Sequence, residues 1–150
     1  VKLFQIEEPE GGPTDTGAPG AAIGIDASGA VAEVAVAAGG NAVVLADRDG
    51  FEQRLAVPRF DGAATQWREL FEGGRLRAER ALARPVTHAV VVLRVLPDPA
   101  PSSLVTGAEQ AGLTILRLAA VTDFSASSAP ALDAAILAED LGPRPDPGLG

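Results

Sequence analysis

The residues best suited to chemistry in this 150-residue chain are two carboxylates set beside small turn residues. Asp26 closes the apolar run 21–26 and is followed by Ala27, Ser28 and Gly29, while Asp123 follows a second apolar run over 113–121. An aspartate at the end of a strand can hold a hydrated Mg2+ through its water shell. Ser28 and Gly29 can cradle a phosphate through backbone N–H groups. The same residues also make an Asx-type hairpin turn, and Asp123 can equally cap the last helix or the loop that leads to it. Adjacent parallel strands place their carboxyl ends side by side, where ligands bind in open α/β sheets. The candidate ligand-binding set is therefore Asp26, Ser28, Gly29 and Asp123, with Asp26 as the metal-holding residue through water. No residue is assigned a catalytic role.

The remaining chemistry-bearing residues read as structural. His88, the one histidine, opens a buried strand as a hydrogen-bonded core residue. With no cysteine and one histidine, the chain contains no disulfide, no thiolate site and no multi-histidine metal cluster. Arg75, Arg77, Arg80 and Arg84 read as a solvated helix face, with anion binding as the alternative. A net charge of −8 argues against a nucleic-acid backbone as partner. No stretch approaches the about 20 apolar residues that cross a bilayer, so a cytoplasmic protein is expected.

These residues must be positioned by a body spanning 21–141. Residues 1–20 are acidic and rich in Gly and Pro and read as a flexible arm. Three prolines make 142–150 an extended or disordered tail. Within the body, strands are expected over 21–26, 31–37 and 42–46, with a hairpin at Gly39-Gly40-Asn41. A short edge strand within 51–60 should stop at Pro58. Period 3.6 then sets in, with Trp67, Leu70, Phe71, Leu76 and Leu82 on one helical face. Asp61 is the expected N-cap, Gly73-Gly74 a break or kink, and Pro85 the stop. The run 87–96 is β-branched throughout its centre, which predicts a strand covered on both faces. A helix over 103–111, a strand over 113–121 and a helix over 127–141 complete the order β-β-β-α-β-α-β-α. Aromatic residues make up only 4%, so the core must be built from Ala, Val, Leu and Ile at close backbone approach. A meander followed by right-handed crossovers gives a mixed sheet with helices on both faces. This is the layout of the ribonuclease H-like fold, on which actin-like ATPases are built.

Several stretches resemble the opening of the DnaK/HscA heat-shock chaperones, the seventy-kilodalton class. "AIGIDASGAVAEVAV" is similar to that family's first strand, turn and strand, normally G-I-D-L-G-T-T-N-S. "RPVTHAVVVLRVLP" resembles its central strand, and "EQAGLTILRLAAVTDFSAS" the run A-G-L-x-V-L-R-I-I-N-E-P-T-A-A. "LFQIEEPE" is similar to the leader of the HscA branch, which serves iron–sulfur assembly. The resemblance covers the first half-lobe of the family's ATPase domain. It implies a ribonuclease H-like half-domain and a vestigial ATP/ADP–Mg site at Asp26. The departures fall on the chemistry: Ser28, Gly29 and Ala30 stand where the family has Gly-Thr-Thr, and Val121 stands where it has a glutamate. No cofactor is therefore expected. The implied function is a non-catalytic, chaperone-like interaction module, whose partner is another protein or a second copy covering the face that the family covers with its second lobe. The alternative is a minimal Mg-nucleotide module, or weak ATPase, whose cleft is completed by dimerisation.

Overall fold

The first three strands, β1 (Ala21–Ala27), β2 (Glu33–Ala38) and β3 (Asn41–Val44), form an antiparallel meander in a computed structural model. The structure describes residues 20–38, 40–45, 55–59, 62–97, 99–124 and 129–142. The 1–20 arm lies outside them but for its last residue, Gly20, as does the 142–150 tail but for its first, Gly142. After the meander come α1 (Ala64–Leu82), β4 (Val86–Leu93), α2 (Ser102–Gln110), β5 (Thr114–Ala120) and α3 (Pro130–Leu141), with a 3-10 turn over Val121–Asp123. The sheet order is β3-β2-β1-β4-β5, with β1, β4 and β5 mutually parallel. The described residues thus form an α/β fold with a five-stranded mixed sheet and three helices.

The β-branched centre of β4 explains its place in the middle. Ala89 through Leu93 are completely buried, because helices cover both faces of this strand. On one face α1 and α2 pack Trp67, Leu70, Phe71 and Leu104 onto Ile23, Ile25, Val91 and Leu93. Trp67 stacks on Phe71 with ring centroids 5.8 Å apart. A Cβ at Gly107 would stand 2.6 Å from the Trp67 Cβ, so glycine is what lets α1 and α2 cross this closely. On the other face α3 lays Ala131, Ala134, Ala135 and Ala138, all fully buried, against β1, β2 and β4. A Cβ at Gly24 would collide with the backbone of α3 at Ala135 N, Ala134 C and Ala131 O. Small residues on both sides bring helix and sheet together in place of large aromatic anchors.

Several expectations need correction. The helix does not break at Gly73-Gly74; α1 runs through both as one 19-residue element. Gly74 faces Val34 and Ile25, where a Cβ would come within 3.3 Å of Val34 Cγ2, so the glycine serves helix–sheet approach. Leu76 leaves the buried face and is 43% exposed, while Arg77, expected in solvent, is 8% exposed. Period 3.6 explains both: with Gly74 and Ala78 inward, Arg77 falls on the packed face. Arg77 Nη1 donates to Gly73 O at 3.2 Å, which offsets its burial. Of the expected edge strand at 51–60, the described residues 55–59 show one isolated bridge, Val31↔Ala56. Val31 accordingly sits outside β2. The expected cap Asp61 lies outside the described residues; Ala63 occupies the N-cap position, and its N–H donates to Gln66 Oε1 at 3.2 Å. The helix ends at Leu82 with Ala83 left-handed at φ 55°, ahead of Pro85. In the hairpin, Gly40 takes the positive φ of 84°, and Asn41 already begins β3.

Candidate functional site

Parallel pairing sets Ala27 beside Leu93 and Leu93 beside Ala120, so β1, β4 and β5 end on one line. Asp26 and Asp123 therefore stand at the same edge of the sheet, flanking β4. Two strand spacings, about 4.8 Å each, separate the strands that carry them. Asp26 lies in register with Val92, whose side chain packs under α3, so strand alternation assigns Asp26 to the α3-covered face.

Each carboxylate closes its own turn. Asp26 Oδ1 accepts from the Ser28 N–H at 3.0 Å and from the Ser28 hydroxyl at 2.6 Å. This is an Asx turn reinforced by a side-chain bond, and it occupies the hydroxyl that a phosphate would otherwise recruit. Ser28 is half-buried and Gly29 exposed. Asp123 Oδ2 accepts from the Ala120 N–H at 2.9 Å, capping the 3-10 turn as the chain leaves β5. It caps that turn and not α3, which begins at Pro130. His88, half-buried at the start of β4, has its Nδ1 2.7 Å from the Thr87 hydroxyl. Among the described residues no group of three or more His, Cys, Asp or Glu could hold a metal ion. No helix among them is long and apolar enough to cross a membrane.

Other contacts carry no local sequence signal because they join distant segments. Glu139 Oε1 on α3 accepts the Gly40 N–H at 3.0 Å, tying the helix to the β2–β3 hairpin. Glu79 bridges Arg75, at 3.0 Å, and the Val86 N–H, at 3.0 Å, so α1 fixes the start of β4. Arg75 Nε donates to Ala111 O at 2.8 Å, pinning the end of α2 to α1. Arg75 is thus a packing residue and not a solvated one. An open recess of about 730 Å3 lies at the opposite end of β1 from Asp26, lined by Gly20, Ala22, Gly40, Arg84, Ile136 and Gly142 among others. A smaller groove of about 480 Å3 runs between α2 and the edge strand β5. That edge carries a register shift opposite Ala89/Val90 and an exposed Arg117, two devices that blunt strand-to-strand pairing.

No family model matches this chain, and no curated protein matches it.

Proposed function

We propose that this chain is a non-catalytic, chaperone-like interaction module on a ribonuclease H-like half-domain of the actin/heat-shock ATPase type. The strand order β3-β2-β1-β4-β5, with an antiparallel meander leading into parallel crossovers, is consistent with that fold. The observation that carries the functional reading is the state of the two acids. Asp26 Oδ1 holds both Ser28 donors and Asp123 Oδ2 holds the Ala120 amide, so each carboxylate braces its own turn through one oxygen. Phosphoryl transfer is almost entirely positioning and charge stabilisation. The turn Ala27–Ala30 offers neither a threonine hydroxyl nor a cation for that work. The net charge of −8 further disfavours a polyanionic ligand, whether nucleotide or nucleic acid.

The partner in this reading is a protein or a second copy of the chain, met in the cytoplasm and away from membranes. Large apolar side chains are exposed on the described surface, with Val95 at 58%, Val43 at 57% and Leu96 at 51%. Such groups are ordinary singly and become informative when a partner buries them.

The test is titration with MgATP and with MgADP, read by calorimetry and by melting temperature. A ligand present at a hundredfold its Kd would stabilise the fold by about 2.7 kcal/mol, which is readily seen. The expected result is no shift at millimolar nucleotide. A saturable shift that disappears in Asp26→Ala would replace this reading with a minimal Mg-nucleotide module. Light scattering across a concentration series separates self-association from a need for a different protein.

A further inference from the structure

Residues Leu55, Ala56 and Val57 lie beside Ala30–Ala32, just ahead of β2 and past the stretch that β3 pairs. The last β3-side contact is the Leu45 N–H donating to Val34 O at 2.8 Å. The neighbouring positions are then taken over by the Ala32 N–H donating to Leu55 O at 2.8 Å and the Val57 N–H donating to Ala30 O at 3.0 Å. Those two bonds bracket Val31, which bridges Ala56, and they fall directly after the Asp26–Ser28 turn. A second anchor sits on α1. A Cβ at Gly73 would stand 2.5 Å from Leu55 Cδ2 and 3.3 Å from Arg77 Nη1, so Leu55 fills the space that a glycine leaves. Leu55 and Val57 are half-buried and pack on the main core cluster.

We infer that Leu55–Val57 is a detachable latch on the β1–β2 turn, keyed by the fit of Leu55 over Gly73, and that its release and the loosening of the Asp26–Ala30 turn are one event. Among the described contacts, two hydrogen bonds and two half-buried side chains hold Leu55–Val57, a small force beside the fully buried β4 that puts the latch at the low-stability end of local opening. Ala30 and Ala32 are held from outside by the latch, whereas Asp26 and Ser28 are held from within by the Asx turn. The two sets are only two residues apart, so freeing Ala30 relaxes the backbone that sets the Asp26–Ser28 bond. Release also presents the Ala30 carbonyl and Ala32 N–H as an unpaired strand edge. This device stands apart from the functional reading above and survives if that reading fails.

Amide hydrogen exchange on the whole chain tests it, using wild type, Gly73→Ala, Leu55→Ala and the double variant. In both single variants the Ala32 and Val57 amides should exchange at least tenfold faster. The Ser28 amide should accelerate by the same factor, while Val91 in β4 is unchanged. Leu55→Ala inserts no atoms, so it answers the question even if Gly73→Ala fails to fold. The melting temperature supplies a sign test. Contact with Leu55 should make Gly73→Ala lower the melting temperature in the wild-type background, and in the Leu55→Ala background alanine, the better helix former, should raise it. Faster Ala32 and Val57 exchange with Ser28 unmoved would overturn the coupling. A rise in melting temperature for Gly73→Ala alone would overturn the latch itself.

Discussion

Replacing Gly24 by alanine is expected to cost about 2–3 kcal/mol, because β1 meets α3 backbone to backbone at this position. The new methyl would overlap Ala135 N and stand 2.7 Å from Ala134 C and 2.9 Å from Ala131 O. Carbon contacts relax at about 3.5–4.0 Å, so α3 must retreat by about an ångström. Four alanine methyls, on Ala131, Ala134, Ala135 and Ala138, then lose contact with the sheet. Each is worth about 0.8 kcal/mol when buried, and a gap of that size forfeits about a quarter to a half of the attraction. That removes about 1–1.5 kcal/mol, and the strain left in the overfilled interface supplies the rest. Urea titration should show a lower midpoint at unchanged slope, and the melting temperature should fall by about 4–12 °C. Gly29→Ala is the control: among the described residues its Cβ would meet only Val31 O, at 3.9 Å, so its stability should stay within about 0.5 kcal/mol of wild type. If Gly24→Ala matched Gly29→Ala, the close approach of α3 to the sheet would be wrong.

Three further outcomes follow from local geometry. Ala83→Gly should gain about 0.5–1 kcal/mol, since Ala83 is held left-handed at φ 55° after α1 and glycine takes that conformation freely; a loss in chemical denaturation would contradict the cap. Asp123→Ala should cost about 1 kcal/mol by orphaning the Ala120 N–H, whereas Asp123→Asn should recover most of it; equal losses in thermal unfolding would mean that charge and not capping matters. Trp67, the one tryptophan, is fully buried and stacked on Phe71, so its emission should be blue and resist acrylamide until the global transition; quenching in the native state would refute its burial.

Strand and helix existence was legible wherever periodicity and punctuation agreed. The β-branched run 87–96 and the turn at Gly112, with φ 82°, mark β4 and the α2–β5 junction with little competition from other readings. The failures share one cause, which is that a local pattern cannot tell why a glycine is there. Gly73 and Gly74 carry the signature of a helix break, yet one makes room for Leu55 and the other for Val34. Leu76 fits an apolar stripe by spacing, but α1 turns its glycines and Arg77 inward instead. At the candidate site, the residues that matter to Asp26 were visible because an Asx turn is local. The links from Glu139 to Gly40 and from Arg75 to Ala111 span 99 and 36 residues, and composition holds no trace of them.

The alanine face of α3 has a consequence for how that helix is registered. Interlocking side chains normally fix a helix lengthwise as well as sideways, because each knob must find its hole. Every fully buried side chain of α3 is a methyl group, a shorter knob than usual, and it loses no rotamer freedom on burial. Two stops then add to the packing of Leu132 and Leu137 in fixing position along the sheet, the notch at Gly24 beneath Ala131–Ala135 and the Glu139 carboxylate on the Gly40 amide. One stop lies near the middle of the helix and the other near its end, so together they define both translation and swing.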